Sequence, residues 1–337
     1  MSNRAVIESR ALSVSVPRRG GLPFIGRPAL DIVVEVSLAI QPGEIVCLVG
    51  ESGSGKSTFG RSLVGLMKPS AGEIHLEGEM LPDHSSRSFA RVRRSASLLF
   101  QDPVTSFDPR QRIRSIIAEP RRIAGRGDVS SAAIENLAAS AGLVPDLLNR
   151  FPHGLSGGQA RRAAVARALS VVPKVIIADE PTAGLDLSVQ AGVLNLFLDI
   201  RDTHRTGFLI ITHNLAVARH VSNRVAIMYL GRIVEAGPTA EIFRAPRHPY
   251  TAALLASEPI PDPRRRRTEP PVVGEVPSVV NRPSGCEFHP RCPLARERCR
   301  SEAPTQTAIA PDHVIRCHFP LEATQTERAE SNTATSR

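Results

Sequence analysis

The 337-residue chain predicts an α/β fold built on a largely parallel sheet. Two observations predict it. Up to about residue 240, short apolar runs of strand length alternate with longer stretches of helical character. At one junction between an apolar run and a helix lies Gly50-Glu51-Ser52-Gly53-Ser54-Gly55-Lys56-Ser57, which fits G-x-x-x-x-G-K-S/T. Apolar residues make up 42% of the chain, enough for a sizeable core. No stretch reaches the roughly 18 consecutive apolar residues that mark a membrane-spanning helix.

Taken in order, Glu44–Val49 is a short buried strand, and Lys56–Leu66 is the helix that follows its glycine-rich loop. Gly72–Gly78 reads as a second strand. Ala132–Ala141 and Gly158–Val171 are helical. Val175–Asp179 is an apolar strand with two carboxylates at its end, Asp179 and Glu180. Leu187–Thr203 is a helix, Gly207–Thr212 a strand, Leu215–Val221 a helix and Val225–Tyr229 a strand. Past residue 240 the composition changes: proline becomes frequent, and Arg264 to Arg267 form a basic run that reads as a solvated linker. The expected units are residues 1–240, with a helical insert at about 102–172, then 241–321, then a polar tail at 322–337 expected to be disordered.

The net charge of +9 would permit an anionic partner, but the bias is in arginine: 39 of the 42 basic residues. The exceptions are Lys56, Lys68 and Lys174. Such a bias points to genome composition before binding. With 4% aromatic residues and no tryptophan, stacking on nucleic acid is poorly supplied, so no nucleic-acid partner is expected. The opening Met1-Ser2-Asn3-Arg4 runs into mixed polar sequence, which predicts no signal peptide and a cytoplasmic location.

The glycine-rich loop is a phosphate site. Its glycines let backbone N–H groups turn inward, and the helix that opens at Lys56 adds its positive end. Lys56 reaches the β- and γ-phosphates, and the hydroxyl of Ser57, followed by Thr58, ligates Mg2+. Lysine is so scarce in this chain that one at the required position argues against a chance match. Asp179 at the end of its strand is the expected Mg2+ partner, and Glu180 can polarise a water for in-line attack on the γ-phosphate.

Leu155-Ser156-Gly157-Gly158-Gln159 precedes a helix upstream of the Asp179 strand. With the phosphate loop and the carboxylate pair in this order, the chain resembles ABC-type ATPases, whose signature this pentapeptide is. The resemblance implies a P-loop ATPase with an inserted helical subdomain, in which two ATPase subunits, identical or sister chains, pack head to tail. Ser156, Gly157, Gly158 and Gln159 of one would complete the ATP site of the other. It further implies that Gln101 senses Mg2+ and the γ-phosphate, that Ala183 to Asp186 form the loop entering the dimer interface, and that His213 contacts the γ-phosphate.

The resemblance narrows to ATPases of dipeptide/oligopeptide importers. It is carried by Gln101 to Pro109, Met228 to Glu235, Arg247 to Thr251 and Gly285 to Pro293, and spans roughly residues 5–320. It implies an ATPase peripheral to the cytoplasmic face of the inner membrane. Its partners would be two membrane permease subunits and, indirectly, an extracytoplasmic solute-binding protein, with a peptide or similar small solute as cargo. A non-transport relative, such as an accessory subunit of a phosphonate-cleaving lyase, shares these motifs. A small-molecule kinase shares the phosphate loop but not the pentapeptide. Three positions depart from the family pattern. No aromatic stands near Val16, where adenine would stack, leaving Phe24 as the nearest candidate. Ala160 replaces a common arginine, and Asn214 a common aspartate.

Of the five cysteines, Cys47 sits in an apolar run and reads as a buried core thiol. Cys286, Cys292, Cys299 and Cys317 are spaced C-x5-C-x6-C-x17-C in a proline-rich segment that needs a staple. Four thiolates can hold an iron–sulfur cluster or zinc; His289, His313 and His318 lie near enough in sequence to join a zinc site, and reduced or disulfide-bonded thiols are the remaining alternatives. The family resemblance implies a four-iron, four-sulfur (4Fe–4S) cluster with a structural role.

Overall fold

In the computed structural model, which describes residues 4–18, 29–125, 127–258 and 274–322, the apolar runs form a sheet buried on both faces. The chain begins with β1 (Ile7–Val16) and β2 (Leu30–Ile40), paired antiparallel, and continues through β3 (Ile45–Val49) into α1 (Lys56–Leu63). β4 (Ala71–Leu76) and β5 (Glu79–Met80) complete a four-stranded antiparallel sheet of order β2-β1-β4-β5. α2 (Ser86–Ser95) leads to β6 (Ala96–Leu99). Three helices, α3 (Ile113–Ala124), α4 (Ser131–Ser140) and α5 (Gly157–Leu169), then pack on one another. The chain returns as β7 (Val175–Asp179), α6 (Leu187–His204), β8 (Gly207–Thr212), α7 (Leu215–Val221), β9 (Arg224–Tyr229) and β10 (Arg232–Pro238). It ends in α8 (Thr239–Arg244), α9 (Pro249–Ala256), α10 (Glu297–Ser301), β11 (Thr307–Ala310) and β12 (His313–Ile315).

The larger sheet has the order β11-β12-β10-β9-β3-β8-β7-β6, with β9-β3-β8-β7-β6 all parallel. Successive side chains of a strand point to opposite faces. Ile45, Cys47 and Val49 of β3, Ile176 and Ala178 of β7, and Phe208 and Ile210 of β8 enter one core, beneath the three-helix segment and α6. Val46 and Leu48, Val175 and Ile177, and Leu209 and Ile211 enter the other, shared with the antiparallel sheet and α1. Both faces are covered, so these strands read as unbroken apolar runs. Cys47 is fully buried, and burial pushes its thiol up to about 12.

β1 and β2 escape a sequence reading for a local reason. The pairing of β1 with both neighbours shifts register near Ala11, which lies at φ 45°, so the alternation of apolar and polar residues slips midway. The Gly72–Gly78 run is a strand, but it joins the antiparallel sheet instead of the parallel one. The sheet itself continues past residue 240: β12 adds to β10, and β11 to β12, both antiparallel. Among the described residues no helix is long and apolar enough to cross a membrane. Phe24, Arg264 to Arg267 and residues 323–337 fall outside the described residues.

Candidate functional site: a phosphate cradle at the carboxyl ends of the parallel strands

The loop between β3 and α1 is shaped by its glycines. A side-chain carbon at Gly50 would lie 2.1 Å from the Met228 carbonyl oxygen of neighbouring β9. Gly55 takes φ 97° as it caps α1, a conformation that costs a residue with a side chain dearly. Lys56, 7% exposed, folds back across the loop. Its ammonium donates to the carbonyls of Gly50 at 2.7 Å and Glu51 at 2.9 Å, and to Ser54 Oγ at 3.4 Å. Burial lowers its pKa, opposed by the charges of Glu180, Asp179 and Glu51.

Ser57 at the start of α1 donates from its hydroxyl to Asp179 Oδ1 at 2.8 Å. Asp179, on the strand two places along the sheet, is 2% exposed; burial raises its pKa, and Arg61 approaches its other oxygen at 3.8 Å. Glu180 follows at φ 47°, an uncommon conformation for a residue with a side chain and one that concentrates at functional sites. Its N–H donates to the Ile211 carbonyl of β8 at 2.9 Å. Its carboxylate lies 2.7 Å from His213 Nδ1, just past the end of β8. A cavity of ≈ 680 Å³ is lined by Gly50, Glu51, Ser52, Gly53, Ser54, Gly55, Lys56, Ser57 and Thr58 together with Gln101, Glu180 and His213. The loop, the carboxylates, Gln101 and the histidine are thus brought together from four separate stretches of sequence.

The pentapeptide lies elsewhere. Ser156 caps α5: its hydroxyl accepts from Gln159 N at 3.3 Å while Gln159 Oε1 accepts from Ser156 N at 3.0 Å. Gly157 opens that helix, and Ser156, Gly158 and Gln159 border a separate cleft with Ser188 and Val189 of α6. Asp186 caps α6 by accepting from Val189 N at 2.9 Å and Ser188 Oγ at 2.7 Å; these bonds depress its pKa. None of these residues lines the phosphate cavity of its own chain.

Two connections went unnoticed in the sequence. Arg161 of α5 donates to the carbonyls of Glu180 at 3.3 Å and Ala183 at 2.6 Å, tying the pentapeptide's helix to the carboxylate turn. The C-terminal region also reaches the loop, since Tyr250 Oη accepts from Glu51 N at 3.1 Å and Arg291 pairs with the Glu51 carboxylate at 2.8 and 3.0 Å. Leu254 of α9 adds to the cavity wall, and Ile32 of β2 is the apolar residue on that wall contributed by the N-terminal strands. Ala160 is fully buried, where an arginine would not fit unchanged, and Asn214 caps α7 by accepting from Val217 N, as an aspartate would.

Among the described residues all five cysteines are free, so no disulfide joins them. Burial pushes the thiols of Cys286 up to about 12 and Cys317 up to about 11, and raises that of Cys292; the charge of Cys299 contributes in the same direction at all three. No three His, Cys, Asp or Glu side chains among the described residues converge as ligands of one metal ion. The neighbouring histidines are engaged elsewhere: His289 with the Cys286 carbonyl, His313 with Glu235 and His318 with the Glu302 carbonyl.

Residues 33–183 match the ABC transporter family, and residues 234–299 match the oligopeptide/dipeptide transporter C-terminal region. The chain is 42% identical to a probable peptide ABC transporter ATP-binding protein of Sinorhizobium fredii, over 93% of this chain and 90% of that one. It is 41% identical to a di/tripeptide transport ATP-binding protein of Pseudomonas aeruginosa, covering 88% and 92%. With an oligopeptide transport ATP-binding protein of Bacillus subtilis it shares 40% identity, covering 94% and 98%. Among solved structures it resembles the dimeric post-hydrolysis state of an ATP-binding cassette bound to ADP and Pi, with a TM-score of 0.61 and 26% identity, covering 69% of this chain and 98% of that one. With its phosphate cradle, carboxylate turn and oligopeptide/dipeptide C-terminal region, the chain belongs to the ATP-binding subunits of peptide-type ABC transporters.

Proposed function

We propose that this chain is the ATP-hydrolysing subunit of an importer that energises uptake of di- or oligopeptides through a membrane permease. The observation that carries the chemistry is the convergence of Lys56, Ser57, Glu180 and His213 on one cavity, with Asp179 hydrogen-bonded to Ser57 and His213 to Glu180. The matched C-terminal region, together with the full-length peptide-transport relatives, favours the importer over a phosphonate-lyase accessory subunit.

The steps follow from the geometry. Loop amides and Lys56 take the triphosphate, the lysine exchanging its loop carbonyls for phosphate oxygens. The Ser57 hydroxyl and Asp179, with Gln101 across the cavity, are oxygen donors suited to Mg2+, which when bound neutralises charge on the β- and γ-phosphates. Glu180 polarises the attacking water, and His213, hydrogen-bonded to it, holds that carboxylate in place and faces the γ-phosphate.

In its own chain the α5 N-terminus has no phosphate to bind, so Ser156, Gly157, Gly158 and Gln159 serve the site of a second ABC ATPase, identical or sister. Asp186 and the adjoining Leu187, 84% exposed, directly precede Ser188 and Val189 of the same cleft and enter that interface. Closure of the dimer around ATP moves the α3–α5 segment, which transmits the motion to two permease subunits at the cytoplasmic face of the membrane. An extracytoplasmic solute-binding protein delivers the peptide. The four C-terminal cysteines hold a 4Fe–4S cluster in this reading. What supports this reading is four free cysteines within one short proline-rich segment. Such a cluster would staple the proline-rich segment.

The assignment is tested by reconstituting the chain with its permease and binding protein in vesicles. Peptide-loaded binding protein should stimulate ATP hydrolysis and peptide should accumulate. Hydrolysis indifferent to peptide would reject the importer reading.

A further inference from the structure

The second residue of the phosphate loop is a glutamate, which is an electrostatic problem. Glu51 lines the cavity that receives a highly anionic triphosphate. An unpaired carboxylate there would repel the ligand. Its partner comes from 240 residues away in sequence. Arg291 presents both terminal nitrogens to the two carboxylate oxygens, at 2.8 and 3.0 Å, in the forked arrangement that arginine alone provides. The arginine side chain is 6% exposed and its guanidinium stands 5.9 Å from the centre of the Tyr229 ring. As a guanidinium it is always charged.

The same loop residue is held at its backbone. Its N–H donates to Tyr250 Oη at 3.1 Å and its carbonyl accepts from Lys56 at 2.9 Å. Tyr250 is locked in turn by Tyr229 and Phe288, with ring centres 4.7 and 5.3 Å away. Arg291 is placed by a tight turn between Cys286 and Cys292, closed by bonds from Arg291 N to the Phe288 carbonyl and from Cys292 N to the His289 carbonyl. The cysteine-bearing segment therefore touches the nucleotide site through one charged side chain.

We propose that Arg291 is a positioning residue of the phosphate loop: it neutralises the Glu51 carboxylate and turns it away from the incoming triphosphate, so that the C-terminal region sets ATP affinity. The inference rests on the phosphate-loop reading. Lys56→Ala, which should abolish nucleotide binding, serves as its control.

The experiment measures ATP and ADP dissociation constants on the purified full chain for the wild type, Arg291→Ala, Glu51→Gln and the double variant. Arg291→Ala should weaken ATP binding about tenfold and ADP binding less, because the exposed carboxylate repels the more charged ligand more strongly. Adding Glu51→Gln should return ATP affinity to within about threefold of wild type, a rescue that a purely structural role would not show. Wild-type ATP affinity in Arg291→Ala would overturn the proposal, and so would a loss that persists in a folded double variant. Should Arg291→Ala not fold, Glu51→Gln alone decides: leaving Arg291 unopposed should shift preference toward ATP over ADP, and an unchanged preference would overturn the proposal. Unimpaired nucleotide binding by Lys56→Ala would instead overturn the loop reading itself.

Discussion

The Ser57 hydroxyl and the Asp179 carboxylate meet at 2.8 Å, although 122 residues separate them in sequence. The contact joins the first turn of α1 to the end of β7, and it sets two oxygen donors side by side at the mouth of the phosphate loop. Asp179→Asn keeps the shape and removes the charge. The magnesium concentration needed for half-maximal hydrolysis should then rise about tenfold, since a neutral amide attracts the cation far less. A Mg2+ titration at fixed ATP checks this, and an unchanged requirement would detach Asp179 from the ion.

Arg161 links the helix behind the pentapeptide to the carboxylate turn through the carbonyls of Glu180 and Ala183. Arg161→Ala removes two hydrogen bonds from a charged donor. It should cost roughly 1.5–3 kcal/mol of stability. Hydrolysis should slow while ATP affinity holds, because the loop amides are untouched. Thermal melts, ATP binding and turnover measured together separate these effects; a variant with normal turnover would leave Arg161 only a scaffold role.

His248 is buried in the C-terminal region, where its Nδ1 accepts from Tyr250 N at the start of α9. Burial holds its pKa down to about 4, against 6.5 when unfolded. The unfolded chain therefore binds the proton more readily. The stability from the neutral ring is complete above pH 6.5 and is lost as the pH falls toward 4, on the order of 3 kcal/mol in all. Denaturant titrations between pH 7 and 4 should show this slope, and His248→Asn, which can still cap α9, should flatten it. An equal slope in the variant would assign the acid sensitivity to other groups.

The parallel core and the loop were legible because their physics is local. Strands covered on both faces must be apolar throughout, and a phosphate loop needs glycines and a lysine at set spacing. β1 and β2 were not legible, since the bulge near Ala11 breaks the two-residue period. The pairing of Glu51 with Arg291 had no local signal either: it depends on the C-terminal segment folding back over β9 and β10. The histidines near the cysteines looked available in sequence, yet each is committed to an oxygen partner in the fold.

The cysteine segment gives a prediction that does not depend on hydrolysis. If the four cysteines hold the proposed cluster, protein purified without oxygen should be brown, absorb at about 400 nm and contain iron and sulfide. Cys299→Ser, which replaces a buried thiol, should lose the colour and loosen the segment against proteolysis. Colourless wild-type protein without iron would reject the cluster and leave the ATPase assignment intact.

The most direct test of the central claim concerns Glu180, whose carboxylate is 2.7 Å from His213. If Glu180 polarises the attacking water, Glu180→Gln keeps the ATP site and loses the base. ATP should bind with wild-type affinity, turnover should fall at least about a hundredfold, and ATP should hold two chains together as a dimer. Size-exclusion chromatography of the variant with Mg2+ and ATP, alongside turnover measured with the permease present, gives both readings. A slow, ATP-dependent dimer is the predicted result; wild-type turnover in Glu180→Gln would contradict the account.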